Sequence, residues 1–337
     1  VEGVLLAPWA LPALRLPGAA PARLREAWAR RTVSAPGALR VRTLPGWPLL
    51  EAGLRLHGGE GVGGQLSARF RLRRLAARLA AAGLPEGVRT VVAPSLAARE
   101  LFARARALGA RCVLVEDLPL LRALHDDLDR AAALHPAADF LRNHRARAAD
   151  VARQEAERVL ADEVWVRGAW AAGRLQAAGV PGERLRTWPA PAPDPAPPPR
   201  LPPRGRVLLL AGNAAARSGA LEALALLEAR PAWSLWARGG EGAEPALLRH
   251  PRVRRVGREA QRSLAGVDVV LAPALCETYP EEVERAVRLG LPVLATDRAA
   301  GAHGPDACTR VPWGDAGALA AALDALTALP APAAGGA

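Results

Sequence analysis

Three features of the sequence predict an α/β chain built from two doubly wound parallel sheets that face a common cleft. Short apolar runs alternate with stretches of helical periodicity, a Pro-rich segment interrupts that rhythm, and the rhythm restarts on its far side. Uninterrupted Val/Leu runs are what strands covered on both faces require, and the helices between them supply the cover. Prolines at high density continue neither a helix nor a central strand, so the segment separates two units.

The elements follow in order. "GVLLAP" (3–8) reads as a strand and "APARLREAWARR" (20–31) as a helix, and the Gly-rich "HGGEGVGG" (57–64) opens a long amphipathic helix over 65–82. "RTVVAP" (89–94), a helix over 95–110 and "RCVLVED" (111–117) come next. A helical region from 120 to 160 leads to "DEVWVRG" (162–168), a helix at 169–178 and "RLRTWP" (184–189). After the Pro-rich "WPAPAPDPAPPPRLPPRG" (188–205), "RVLLLAG" (206–212) precedes a helix at 217–229, and "WSLWARGG" (233–240) precedes another. "VDVVLAP" (267–273), "LPVLATD" (291–297), "CTRVP" (308–312) and an Ala-rich helix (314–329) complete the second half. Open α/β sheets bind ligands beyond the carboxyl ends of their strands, which directs attention to the loops after 212, 240, 273 and 297.

Composition removes several function classes. The chain of 337 residues has a formal charge of +12, yet every basic residue is arginine, and Lys, Ile and Met are all absent. Those three residues have AT-rich codons, so a GC-rich bacterial genome accounts for the bias without a nucleic-acid partner. The arginines are scattered among acids and apolar residues and form no stripe interleaved with aromatics, as base stacking would need. The densest cluster, "RFRLRRLAAR" (69–78), reads as a solvated helix face, with a peripheral contact on anionic lipid as its second reading. Cys112, Cys276 and Cys308 lie far apart, outside any disulfide or zinc spacing. No stretch approaches the roughly eighteen apolar residues of a membrane span, and the first residues lack the pattern of a signal peptide. A cytoplasmic setting is the expectation.

The most informative stretch is "CETYPEEVERAVRLGLPVLATD" (276–297). Thr278 with Glu281 three residues on forms a capping box, Pro280 suits a first turn, and Glu281 and Glu282 suit the positive end of a helix dipole. Val283, Ala286 and Val287 make the buried stripe, and Gly290 and Pro292 end the helix. Glu277 alone is left without a structural role.

An apolar strand ending in Ala-Pro, an acid, a helix and then "AVRLGLPVLATD" resembles the donor loop of the GT-B glycosyltransferases, particularly retaining family 4. The signature there is Glu, seven residues, Glu, then Ala-x-x-x-Gly-x-Pro-Val. Glu277 matches its first Glu, and Ala286, Gly290, Pro292 and Val293 match its trailing positions. "RQEAERVLADEVWVRGAWAAGRLQAAGVPGERLRTWPAP" (153–191) and "LLLAGNAAARSGALEALALL" (208–227) resemble the end of that family's first domain and the start of its second.

The resemblance implies a Rossmann-like acceptor-side domain over 1–188, a linker over 189–205, a Rossmann-like nucleotide-sugar-binding domain over 206–313, and a closing helix and tail over 314–337. It implies retaining, metal-independent transfer of a hexose from a nucleoside diphosphate sugar, with no cofactor. The acceptor is left open among glycan, lipid-linked and small-molecule classes, in a setting of polysaccharide or glycoconjugate synthesis. Glu277 would hold a donor-sugar hydroxyl, Arg217 would neutralise the diphosphate, and Glu284 or Arg285 would meet the nucleoside end. Gly212, Asn213, Thr278 and Tyr279 would line the donor site. The chain departs from the pattern at three places: Arg285 occupies the second Glu position, Asn213 and Ser218 stand where Arg and Lys are usual, and Tyr279-Pro280 replaces Phe-Gly. These departures motivate an alternative, a non-catalytic relative serving as scaffold or partner subunit. An epimerase of the same fold class, consuming a nucleotide-sugar without an acceptor, is a third reading.

Other constellations are weaker. Asp127 and Asp129 in "HDDLDR" form a metal-binding DxD pattern, but two residues apart on a helix they diverge by about 200°, which favours a solvated face. His303, in a Gly-rich loop, and Glu116, at the end of a strand, are candidates for the acceptor side. Trp9, Trp47 and Trp313 are candidate stacking platforms.

Overall fold

A computed structural model of the chain describes residues 3–6, 39–42, 62–138, 145–187, 206–240, 242–276, 281–300, 303 and 307–328. The segments expected as a helix at 20–31 and as the Pro-rich boundary at 189–205 lie outside these residues. Among the described residues, no helix is long and apolar enough to cross a membrane.

In chain order the elements are β1 (Gly3–Leu6), β2 (Leu39–Arg42), α1 (Val62–Ala82), β3 (Thr90–Pro94), α2 (Arg99–Ala107), β4 (Arg111–Val115), α3 (Leu121–Leu134), α4 (Ala148–Leu160), β5 (Glu163–Val166), α5 (Ala169–Ala177) and β6 (Leu185–Thr187). The second half continues with β7 (Val207–Leu210), α6 (Ala220–Ala229), β8 (Ser234–Ala237), α7 (Pro245–Arg249), β9 (Val253–Arg255), α8 (Arg258–Ser263), β10 (Val269–Ala272), α9 (Glu281–Arg288), β11 (Val293–Thr296), β12 (Thr309–Val311) and α10 (Ala316–Ala328). β2 and β9 were not expected from sequence. The glycine stretch at 57–64 gives way to helix already at Val62.

The second half is one parallel sheet in the order β12-β11-β10-β7-β8-β9. Numbered from β7, this is the doubly wound order that reverses between its first and fourth strands. Side chains on the central strands alternate between faces. Leu208, Leu210, Val269, Leu271 and Leu294 pack with Leu226 and Leu227 of α6 and Leu323 of α10. Leu209, Val270, Ala272, Val293 and Ala295 pack with Val283 and Ala286 of α9. Burial on both faces explains why these strands read as continuous apolar runs, each large side chain contributing roughly 1.5–3 kcal/mol.

The first half is a parallel sheet in the order β3-β4-β5-β6, while β1 and β2 form a separate parallel pair. Its helices depend on one buried polar stripe. Arg153, Gln154, Glu157 and Arg158 of α4 are all buried. Neither α2 nor α3 has a side-chain cap of its own, and α4 supplies both. The Glu157 carboxylate accepts the backbone N–H groups of Leu96 (2.5 Å), Ala98 (3.0 Å) and Arg99 (3.0 Å). Gln154 accepts the N–H of Leu121 (2.8 Å) and donates to the Pro119 carbonyl and to Glu116 Oε1, each at 3.0 Å. Leu96 adopts a φ of 67°, an unfavourable region for a branched side chain. Glu157 and Arg153, whose Nε donates to the Leu96 carbonyl at 3.1 Å, hold it there. The helix expected from Ser95 therefore begins only at Arg99.

Three arginines of α1 form ion pairs within the first half. Arg73 makes a bidentate pair with Asp117 (3.0 and 2.7 Å), Arg74 pairs with buried Asp150 at 3.2 Å, and Arg78 lies 3.6 Å from Glu100.

Removing the Glu157 charge tests the stripe. Breaking a buried, multiply bonded ion by removing its charge costs about 3–5 kcal/mol. Glu157→Gln is expected to lower the urea midpoint by a corresponding amount, whereas the exposed Glu155→Gln changes it little.

Candidate functional site

The carboxyl ends of β7 and β10 meet at the reversal point of the second sheet, and the loops leaving them are tied together. After β7, Gly212 turns with a φ of 79°, and Gln261 of α8 donates to the Leu210 and Gly212 carbonyls. Ser218, buried, donates its hydroxyl to Asn213 Oδ1 at 3.1 Å. The Ala214 N–H donates to the Arg238 carbonyl at 2.8 Å, which joins the β7 and β8 loops. Gly219 precedes α6 with a φ of 88°, and a Cβ there would stand 2.4–2.6 Å from Pro273. Only glycine lets the β7 loop approach the β10 loop this closely.

The β10 loop is pinned at successive residues. Thr296 donates to the Ala274 carbonyl at 2.8 Å, Leu275 N–H donates to the Arg217 carbonyl at 3.0 Å, and Arg298 donates to the Leu275 carbonyl at 3.2 Å. Cys276 is buried at the end of this run. The expected donor residues Glu277, Thr278 and Tyr279 come next and lie outside the described residues.

Two guanidinium groups stand on this crest without an ion pair among the described residues, those of Arg217 and Arg238. Arg217 was expected from sequence. Arg238 was not, and its Nε is buried without a hydrogen-bond acceptor among the described residues. Its position directly after a strand was the available signal.

Of the two nucleoside-end candidates, Glu284 is buried and Arg285 half-buried. His303, a candidate for the acceptor side, stands with its Nε2 3.0 Å from Glu284 Oε1. Arg310 holds the His303 carbonyl.

Glu116 lies across the cleft at the end of β4, 3% exposed. Among the described residues its Oε2 accepts no hydrogen bond, and Arg158 Nη1 stands 3.6 Å away as its ion-pair partner. Burial pushes its carboxyl up to about 7, against the lowering effects of the Ser95 hydroxyl and Arg158. Glu116 lines a pocket with Leu118, Leu120, Leu124, Trp170 and Arg174, and Cys276 closes it from the second half.

α3 forms much of the contact between the halves. Leu121, Leu124, Leu128 and Ala131 pack in one cluster with Ala216, Leu275 and Cys276. The two aspartates of the DxD pattern diverge, as helical geometry requires, but Asp127 is not solvated. It is 1% exposed and receives Arg130 of its own helix, Arg174 of α5 at 3.3 Å and Arg298 of the second half at 3.2 Å. Asp129 faces solvent and pairs with Arg145. At the far end of α3, His135 Nε2 lies 3.6 Å from Glu222 Oε1 of α6. Burial raises the Glu222 carboxyl to about 7 and lowers the His135 imidazole. Among the stacking candidates, Trp9 and Trp47 lie outside the described residues, and Trp313 is covered by the Arg298 guanidinium at 5.1 Å. Trp170, which sequence reasoning passed over, lines the pocket and carries Arg174 at 5.7 Å.

No family profile and no curated protein matches the sequence. The structure is similar to that of sucrose-phosphate synthase from Thermosynechococcus elongatus, with a TM-score of 0.57 at 17% identity over 88% of this chain and 76% of that one. A UDP-forming α,α-trehalose-phosphate synthase from Burkholderia vietnamiensis gives 0.54 at 12% identity, covering 98% and 92% of the two chains. Anabaena HepE, crystallised in complex with UDP, gives 0.51 at 14% identity, covering 97% and 90%. The shared architecture is the GT-B fold of two parallel-sheet α/β domains.

Glu116 and Glu222 set a pH dependence. A carboxyl raised in the folded state stabilises below its unfolded value of 4.5, and that contribution is lost as pH rises through about 7. His135, lowered by burial, acts oppositely and costs stability as pH falls below its ordinary 6.5. The urea midpoint should therefore decline between about pH 4.5 and about pH 7, with His135 opposing part of that decline below 6.5, and Glu222→Gln should flatten it, raising stability above pH 7 by roughly 1–3 kcal/mol.

Proposed function

We propose that the chain transfers a sugar from a nucleoside diphosphate sugar, bound on the crest of the second sheet, to a hydroxyl of an acceptor held by the first half. The observation that carries this reading is the convergence at the β7–β10 reversal point. Arg217 and Arg238, guanidinium groups without ion pairs among the described residues, stand beside a β10 loop pinned residue by residue up to Cys276. A leaving diphosphate wants cations and helix N-terminal amides, and sugar hydroxyls want a carboxylate. Glu277, the residue after the pinned run, would hold a donor-sugar hydroxyl. Arg217 and Arg238 would neutralise the diphosphate, with Gly212, Asn213, Thr278 and Tyr279 around it. Glu284, beside His303, would meet the nucleoside end, and Arg285 would flank it. The UDP in the HepE complex and the UDP-forming activity named for the trehalose-phosphate synthase support a uridine donor. Transfer on this reading is retaining, needs no metal or cofactor, and divides the chain into an acceptor domain (1–188) and a donor domain (206–313).

One observation favours a second reading, a partner subunit without catalysis. Ser218, where a lysine is usual, is buried and bonded to Asn213, so no cation reaches the cleft from that position.

A thermal-shift titration with UDP, GDP, CDP, dTDP and ADP, with and without EDTA, separates the two. A ligand at a hundred times its Kd adds about 2.7 kcal/mol, a shift of a few degrees for domains of this size. One diphosphate should stabilise the protein equally with EDTA, and Arg217→Gln should weaken that response about tenfold or more, the scale of a lost charge-assisted contact. Glu277→Ala should abolish most turnover of the matching nucleotide-sugar and leave the fold intact. Absence of any response at millimolar nucleotide would establish the partner-subunit reading instead.

A further inference from the structure

Arg298, two residues beyond β11, joins three parts of the chain. Its Nη1 donates to the Leu275 carbonyl at 3.2 Å, the same nitrogen stands 3.2 Å from Asp127 Oδ1 of the first half, and its guanidinium covers the Trp313 ring at 5.1 Å. Leu275 in turn donates its N–H to the Arg217 carbonyl at 3.0 Å. A continuous run of polar contacts therefore leads from a carboxylate on α3 to the backbone of a cation on the crest of the second sheet. Among the described residues Asp127 has one ion-pair partner in the second half, and it is Arg298.

The partners are distributed so that this link can be broken without leaving either group bare. A carboxylate 1% exposed is strongly destabilising once its partners are gone. Asp127, however, keeps Arg130 of its own helix and Arg174 of α5 at 3.3 Å when Arg298 is taken away. Arg298 keeps the Leu275 carbonyl and the Trp313 ring, both in its own half. One guanidinium is enough to neutralise Asp127, so the third adds orientation and not neutralisation. What Asp127 gives Arg298 is direction: a carboxylate and a carbonyl meet on one nitrogen, with an aromatic ring against the guanidinium.

We propose that Arg298 is a positioning residue for the donor site: it holds the β10 loop through the Leu275 carbonyl, and Asp127 of the first half sets where it holds it. This rests on the glycosyl-transfer reading for what the loop serves, since Leu275 is bonded to the backbone of Arg217 and lies two residues before Glu277, the groups assigned there to the diphosphate and the donor sugar. The link between Asp127 and the loop stands on the contacts alone. Coupling of this kind is carried by contiguous polar networks, and a double-mutant cycle is what demonstrates it.

Hydrogen exchange at the Leu275 amide of the full chain reads the link, because the Arg217 carbonyl holds that N–H. Asp127→Asn in the first half and Arg298→Met in the second should each speed its exchange about fivefold or more, and the double variant should go little beyond either, the non-additivity of residues in one network. Arg298→Lys, which keeps a donor and a charge, should restore part of the protection. Arg130→Gln, which takes another partner from Asp127 without touching the second half, should leave Leu275 at the wild-type rate. The amides of β8, buried in the same half, report any general loss of stability. Calorimetric titration with UDP supplies the second readout: the variants that speed Leu275 exchange should weaken UDP binding about fivefold or more. The proposal is overturned if Asp127→Asn leaves Leu275 exchange unchanged, if Leu275 and β8 accelerate alike, if the two substitutions act independently, or if Leu275 exchange responds while UDP affinity does not. If Asp127→Asn does not fold, Arg298→Met and Arg298→Lys carry the same two readouts from the second half. A wild-type chain that binds no nucleoside diphosphate removes the glycosyl-transfer reading, and the exchange comparison then decides the positioning of the loop by itself.

Discussion

Burial of a hydrogen-bonded carboxylate in the first half is the constraint on which the remaining geometry depends. Glu157 has been moved from water into a fully buried position, which raises its proton affinity through desolvation against the opposing pull of Arg153 and three backbone N–H groups. That placement is tolerable only because every one of those donors needs an acceptor. The helices after β3 and β4 start without caps of their own, and a single stripe on α4 completes both. The start of α3 is fixed by Gln154, and α3 in turn carries Asp127, Leu128 and His135 to the second half. The contact between the halves therefore depends in part on the polar stripe of α4.

On the other side, the crest proposed to hold the donor follows from strand order. A sheet that reverses between β7 and β10 sends its loops apart at their carboxyl ends, and the space between them is where a phosphate would meet helix N-termini. Gly219 closes the approach of one loop to the other, while Thr296 and Arg298 hold the β10 loop from the next strand along. The site is thus supported from strands that are themselves buried on both faces, which gives it a rigid base.

Much of this was legible in the sequence, for identifiable reasons. Central strands such as "VLLL" and "VVLA" announce themselves because both faces are buried, and the stop at Gly290 and Pro292 is local chemistry. β2 ("LRVR") and β9 ("VRR") were not legible because short polar runs on sheet edges carry no apolar signal. Ser95 is a good cap by type, yet its segment stays in a loop because Glu157, 62 residues on in the sequence, claims the amides there. The divergence of Asp127 and Asp129 could be computed from helical spacing, but the burial of Asp127 could not, since two of its partners come from positions 174 and 298. His303 shows the same limit: a loop on the cleft side can lean toward either half, and only the fold shows that it leans on Glu284.

The shared cluster beneath α3 has a further consequence. Leu275 and Cys276 belong to the loop that leads into Glu277, but their apolar neighbours Leu124, Leu128 and Ala131 belong to the other half. Any change in the separation of the halves alters the packing of the residues immediately before the donor position. On the glycosyl-transfer reading the donor and acceptor sites are then thermodynamically linked: whatever factor the first ligand contributes to the affinity of the second, the second returns to the first. In such an arrangement the order in which substrates arrive affects the rates of binding, while the cooperative free energy between them belongs to the packing itself.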